Sequence, residues 1–327
     1  MSLLPNRIIA RLEQKPSIGV VGIASWDTIL AVDAMPDPGG FAMVSTALEL
    51  PGGTSANAAA AAAALGAQVE FISAVGADDV GHRLISALQQ AGVDCTRMHV
   101  DKEHPTDQTT VISSSSPPDR TIFWRAGAIP RRGDRIDIDR LFTRDLVLLD
   151  SVDPLLRRFL IDLPVHTYPG VKILVPMTYV VDFPGEDELD SVIRCDALVG
   201  SAHELCQLTG GHSVEAAVAA MQTLMRVSNL RSVAITLGSE GALAFDSERV
   251  FRAAALAVDV VDTTGAGDAF AGAFAVGLAC RLDVADSLVL ANCVAGLSVR
   301  TLGGQTGLPT LEELTQVLNQ QSAPVQD

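Results

Sequence analysis

The chain has 327 residues, enough for one large α/β unit, and its 48% apolar and 19% charged side chains exclude a disordered polymer. A formal net charge of −16 with only three lysines, Lys15, Lys102 and Lys172, excludes a general nucleic-acid or anionic-membrane surface, because phosphate backbones demand clustered cations. Five cysteines without a C-x-x-C pair read as reduced core thiols of a cytoplasmic protein.

Residues 1–15 carry Arg7, Arg11 and Glu13 and no continuous apolar run, which argues against a secretory signal. Ile18 to Ile23 is a β-branched run predicted as a buried parallel strand, with Asp27 closing it as a strong acceptor in a ligand-bearing loop. Residues 50–69 are uncharged but contain Pro51, two glycines, Asn57 and many alanines, a poor membrane span. Ala56 to Leu65 reads as a helix, Val69 to Val75 as a strand, and Asp79 to Ala91 as a second helix. The alternation resumes at Leu146 to Leu149, Lys172 to Val175, Ala197 to Val199 and Ser232 to Leu237, predicting a mostly parallel sheet flanked by helices on both faces. Gly267 to Cys280, Val284 to Arg300 and Leu311 to Gln320 are predicted helical.

Two stretches interrupt this rhythm. Residues 29–50 and 96–126 read as short strands with Pro, Gly and Ser turns, the second with a hairpin tip at 113–119. Paired with each other they would form a small β-sheet lid on a single domain spanning 1–327, since Thr121 to Trp124 would otherwise be an apolar edge strand in water.

The most informative motif is Asp262-Thr263-Thr264-Gly265-Ala266-Gly267-Asp268, a polar glycine turn running straight into a helix. Gly265, Ala266 and Gly267 let backbone N–H groups of the first helical turn face an anion. Asp268 adds negative charge there, which suits a base that takes a proton from an attacking hydroxyl. An N-terminal helix cap is the plain alternative. A second turn, Pro51-Gly52-Gly53-Thr54-Ser55-Ala56-Asn57, offers backbone donors and the Asn57 amide to the hydroxyls of a polyol.

The Gly52-Gly53 turn, its alanine helix and the closing Val75-Gly76-Ala77-Asp78-Asp79-Val80-Gly81 resemble the N-terminal signature of the PfkB (ribokinase-like) sugar kinases. The Asp-Thr-Thr-Gly-Ala-Gly-Asp stretch resembles their C-terminal signature, and the likeness covers nearly the whole chain. It implies a ribokinase-like α/β fold and ATP-dependent phosphorylation of a sugar hydroxymethyl group. Asp268 matches the family's catalytic base, Gly265, Ala266 and Gly267 its anion hole, and Asp27, Gly52, Gly53 and Asn57 its sugar contacts. Arg120 matches a lid arginine that reaches substrate or phosphate. Thr236, Gly238 and Gly241 match a nucleotide-binding turn, and Asn292 is placed near the adenine unless it is satisfied within its helix. Where members carry Asn-x-x-Glu, linked to Mg²⁺, this chain reads Ser201-Ala202-His203-Glu204, which keeps Glu204 as the metal-linked residue. The loop near Gly303-Gly304-Gln305 and Asp262 leaves K⁺ open, and homodimerisation through the lid is implied. A nucleoside or vitamin-precursor kinase, or a non-catalytic sensor, are the alternatives on the same fold. The chain has no G-x-x-x-x-G-K-[ST] loop and no protein-kinase set.

Overall fold

The computed structural model describes residues 3–320, save 117 and 169, together with 325 and 326. In chain order the strands are β1 (Ser17–Gly22), β2 (Ser25–Val32), β3 (Val44–Gly52), β4 (Gln68–Ile72), β5 (Ala74–Gly76), β6 (His99–Asp101), β7 (Gln108–Ser115) and β8 (Pro118–Arg125). They continue as β9 (Leu146–Asp150), β10 (Lys172–Pro176), β11 (Ala197–Ser201), β12 (Ser232–Thr236), β13 (Ala242–Phe245), β14 (Val250–Ala253) and β15 (Val325–Gln326).

The main sheet runs β15-β14-β13-β12-β11-β10-β9-β1-β4. It is parallel from β4 through β12 and antiparallel from there to β15. Its strands are apolar on both faces because helices cover both. Leu146 and Leu148 join one core with the helices Thr54–Ala64, Ala266–Ala279 and Val284–Ser298. Val147 and Leu149 point the other way, into a core shared with Pro154–Asp162 and Val214–Met225. Each such buried side chain contributes about 1.5–3 kcal/mol relative to exposure. No helix among the described residues is long and apolar enough to cross a membrane.

The expected pairing of the two insertions is observed as a second sheet of order β3-β2-β7-β8. Its extent differs from the expectation. It begins at Ser25, so Asp27 stands on β2 and does not close β1, and its second half begins at Gln108. The chain bends after Gly22 and starts a new strand at once, where Trp26 N–H donates to the Asp107 carbonyl at 3.0 Å. Of 96–107, residues 99–101 belong instead to a two-stranded sheet with β5. The hairpin tip is carried by β7 and β8, but Pro117 lies outside the described residues.

The helices Thr54–Ala64 and Ala266–Ala279 pack closely because their facing residues are small, with Ala56, Ala58, Ala59, Ala269, Gly272 and Ala273 all buried. Gly272 sits where a Cβ would run into the Ala58 carbonyl. Gly272→Ala is therefore expected to force the helices apart and to cost about 1–3 kcal/mol, as overpacking does. Urea unfolding of the variant with an unshifted midpoint would show that this contact has slack.

Candidate active site

Both glycine turns end at helix N-termini that carry no side-chain cap, one at Gly53 with φ 94° and one at Gly265 with φ 76°. Positive φ favours glycine, and sterics reinforce it at both places. A Cβ on Gly265 would sit 2.5 Å from the Gly304 Cα, and one on Gly53 2.8 Å from the Ile23 carbonyl oxygen. A Cβ on Gly267 would meet nothing within 4 Å. That open space belongs to a cleft of about 840 Å³ which Gly267, Gly265 and Asp268 line from one side and Gly53, Thr54 and Asn57 from another.

The cleft lies outside the carboxyl ends of the main strands, where open α/β sheets place their ligands. Asp150 ends β9, Pro176 β10, Ser201 β11 and Thr236 β12, and all four line it. The second sheet forms the opposite wall, contributing Asp27 from β2, Thr109 and Val111 from β7, and Arg120, Ile122 and Trp124 from β8. The alternation 120, 122, 124 places one face of β8 toward the cleft.

The two signature segments meet directly. Asn57 Nδ2 donates to Asp268 Oδ2 at 2.8 Å, and Asn57 Oδ1 accepts from Gln305 Nε2 at 3.0 Å. Asp262 ties the Gly265 turn to the 303–305 loop, accepting from Thr264 N–H at 2.9 Å and Gly303 N–H at 2.8 Å. Burial pushes the Asp268 carboxyl up to about 7; Asn57 opposes this by hydrogen bonding, the charges of Asp150 and Asp27 add to it, and Arg120 opposes it. Burial also raises Asp27, against hydrogen bonds from Ser25 and Thr109.

Gly52 has a different task from the one its motif suggests. A Cβ there would overlap the Asp27 carboxylate, so the missing side chain is the seat of Asp27, and Gly52 itself does not line the cleft. Thr236 lines the cleft, whereas Ala266, Gly238, Gly241 and Asn292 do not. Asn292 donates to the Ala254 carbonyl at 2.8 Å, so its amide is satisfied by the segment after β14 rather than within its own helix. Glu204 lines the cleft with both carboxylate oxygens engaged, accepting from Thr178 Oγ1 at 2.8 Å and from Ser201 N–H at 2.6 Å.

Two acids escaped the sequence reading. Asp107 is 1% exposed and accepts from Trp124 Nε1 at 2.9 Å and Gly127 N–H at 2.8 Å, which ties the base of β7 to the end of β8. Asp150 is 2% exposed, and its Oδ2 accepts from Thr54 Oγ1 at 2.5 Å and Ser55 Oγ at 2.8 Å. Its Oδ1 is buried without a partner. Burial pushes each of these two acids up to about 6. The signal for Asp150 was present, since an acid directly after a buried strand run has little structural reason to be there.

A kinase of small alcohols is the class that fits an uncapped, glycine-lined helix start, an aspartate beside it and a polar facing wall in one cleft. The model for the pfkB family carbohydrate kinases matches residues 15–311, and the chain belongs to that family. It is a phosphotransferase with an alcohol group as acceptor. A ribokinase of Lactococcus lactis subsp. lactis is 28% identical over 316 residues, covering 93% of this chain and 97% of its own. An aminoimidazole riboside kinase of Salmonella typhimurium is 29% identical over 338 residues, covering 93% and 96%. Among solved structures, Arabidopsis thaliana ribokinase complexed with ribose and ATP is 26% identical, with a TM-score of 0.80 over 93% of this chain and 98% of that one.

A carboxyl whose pKa is higher folded than unfolded stabilises the fold only while protonated. Asp150 therefore favours folding fully below about 4 and loses that contribution as pH rises through about 6. Asp150→Asn removes this titration, so its stability relative to the natural chain is expected to rise between those values and then level off. Urea unfolding across the range checks this, and a constant difference would contradict it.

Proposed function

We propose that the protein transfers the γ-phosphate of ATP to a hydroxymethyl group of a sugar, with Asp268 as the base. The observation that carries this reading is the 2.8 Å hydrogen bond between Asn57 and Asp268, which joins the polyol-gripping turn to the anion-binding turn at one point of one cleft. The sugar lies between Asp27, Asn57 and Asp150, whose carboxylates and amide accept from and donate to its hydroxyls. Asp268 takes the hydroxymethyl proton as that oxygen attacks the γ-phosphorus, the bond to ADP breaks, and the proton leaves later with Asp268 returned to its carboxylate. No covalent enzyme intermediate is required. Charge on the transferred group is met by N–H groups of the 265–267 turn and by Arg120, so that positioning and electrostatics supply the acceleration. The second sheet acts as a lid that excludes water, and Thr236 belongs to the nucleotide end.

The residues present fit Mg²⁺ held largely by phosphates and water. Glu204 faces the same cleft as the partnerless Asp150 Oδ1, and its charge helps to raise the Asp150 pKa, a local excess of negative charge that a hydrated cation relieves. Glu204 would hold the ion through water, and the ion would neutralise phosphate charge. Asp262 holds the 303–305 backbone against the anion turn, where carbonyl groups could serve K⁺.

Asp268→Asn is expected to lower kcat about 10²- to 10⁴-fold, the usual contribution of a positioned base, with the KM values for ATP and sugar largely kept. In the natural enzyme kcat/KM should fall with acid below about pH 7, because Asp268 must be ionised to act. Near-normal turnover of the variant would refute the assignment.

Homodimerisation through the lid is part of this reading. Phe41 is 86% and Met43 77% exposed beside the β3 edge, a surface that a second copy would cover. Light scattering is expected to give twice the chain mass and Phe41→Glu the single mass; a monomer at all working concentrations would remove this element.

A further inference from the structure

The polar grip on the acceptor occupies only part of the cleft. Beyond Asp150 and Thr54 the wall becomes aromatic: Tyr179 OH lies 3.3 Å from Thr54 Oγ1, the Tyr179 and Phe183 rings are 6.1 Å apart, and Phe183 meets Trp124 edge-on at 5.9 Å and 72°. Ile122 stands beside Trp124 on the same face of β8, and Ile122, Trp124 and Phe183 are 55%, 43% and 39% exposed. Ile122 and Trp124 line the cleft from β8 and Phe183 from the end of the short helix Thr178–Asp182, and the Trp124–Phe183 contact joins them into one uncovered rim.

This rim lies on the acceptor side. Arg157, 1% exposed on the Pro154–Asp162 helix that follows β9, donates to the Ser151 carbonyl at 2.5 Å, to the Phe183 carbonyl at 3.1 Å and to Glu188 at 2.8 Å. It therefore holds the Phe183 backbone beside Ser151, the residue that follows Asp150 at the end of β9. Trp124 is fixed in turn by its bond to Asp107.

We propose that this rim is a subsite for a flat, weakly polar ring on the anomeric carbon of the acceptor, and that the preferred acceptor is a riboside rather than the free sugar. In a furanosyl unit the hydroxymethyl and anomeric groups leave the ring from the two carbons flanking its oxygen. With the hydroxymethyl at Asp268, the anomeric substituent projects toward the other end of the grip. A free pentose carries a hydroxyl there and leaves the rim wet, whereas a heterocycle covers Trp124 and Phe183 with edge or face contacts that aromatic rings favour. The proposal rests on reading the cleft as an acceptor-sugar site and adds the substrate class to it.

Calorimetric titration of the full chain with D-ribose, inosine and uridine tests the subsite by binding alone. Both ribosides are expected to bind at least tenfold more tightly than ribose. Phe183→Ala and Trp124→Ala should each reduce that preference at least fivefold, while Trp124→Phe, which keeps a ring but loses the N–H to Asp107, should retain it. Equal affinities, or variants that weaken ribose and ribosides by one common factor, would overturn the proposal, the latter because the rim would then serve only to hold the second sheet. ADP release measured with the same acceptors separates the two readings. Riboside preference in binding with no ADP release from any acceptor would sink the kinase reading and leave the subsite standing. Faster turnover of ribose than of either riboside would do the reverse.

Discussion

The close packing of two alanine- and glycine-rich helices, sealed at its cleft end by the Asn57–Asp268 hydrogen bond, is the constraint on which the site depends. Asp268 is the third residue of its helix and Asn57 the fourth of the other, so any change in helix separation appears directly between them. The helix dipole favours an ionised carboxylate near the first turn, by about 2 kcal/mol at best, which corresponds to about 1.5 pKa units. Burial nevertheless pushes Asp268 up to about 7, and with the charges of Asp150 and Asp27 it outweighs the Asn57 hydrogen bond and the Arg120 charge. A carboxylate held there is poorly solvated and close to neutral pH, the condition in which a base is neither permanently protonated nor too weak.

The charge distribution of the cleft divides it into two chemical halves. Asp27, Asp107 and Asp150 are acceptors, and burial raises the pKa of each. Such groups suit hydroxyls, which donate, and repel phosphates. The turn at 265–267 brings Gly265 and Gly267 to the cleft with no Cβ on either, while Ala266 N–H donates to the Thr263 carbonyl at 3.3 Å, and this uncapped helix start suits phosphate. Asp268 stands at the boundary. A protein of net charge −16 can hold a polyanion this way because backbone dipoles carry no net charge to be balanced elsewhere.

The sheet alternation was legible because buried parallel strands are unbroken apolar runs, and β9 to β12 fall within two residues of their expected limits. Asp27 was misplaced onto the end of β1 because Gly22-Ile23-Ala24 carries no turn signature; the bend there depends on long-range pairing of β2 with β7, which no local pattern encodes. The antiparallel strands β13 and β14 passed unread for a related reason, since four-residue strands carry too little periodicity to stand out. Asp107 was invisible for the opposite reason. Its importance lies in what it reaches, Trp124 and Gly127 across the base of the second sheet, and a lone acid before a strand looks like any other. Gly52 shows a motif residue whose local reason was misjudged: the turn needs no glycine there, but Asp27 needs the room.

Ser201 carries the same lesson into the metal-linked motif. The sequence suggested that a serine in place of asparagine would keep a hydroxyl for a metal-bound water and lose an amide. In the structure Ser201 is an N-cap: its Oγ accepts from Glu204 N–H at 3.2 Å while the Glu204 carboxylate accepts from Ser201 N–H at 2.6 Å, a reciprocal capping box. Serine and asparagine are near-equal N-caps, so either can supply the acceptor that starts this helix. What the motif preserves is then the direction of Glu204, whose other oxygen is fixed by Thr178 at 2.8 Å, rather than the chemistry of its first residue. Two restraints on one carboxylate leave it little rotamer freedom to lose when charge arrives in the cleft, which is what the outer-ligand role proposed for Glu204 would require.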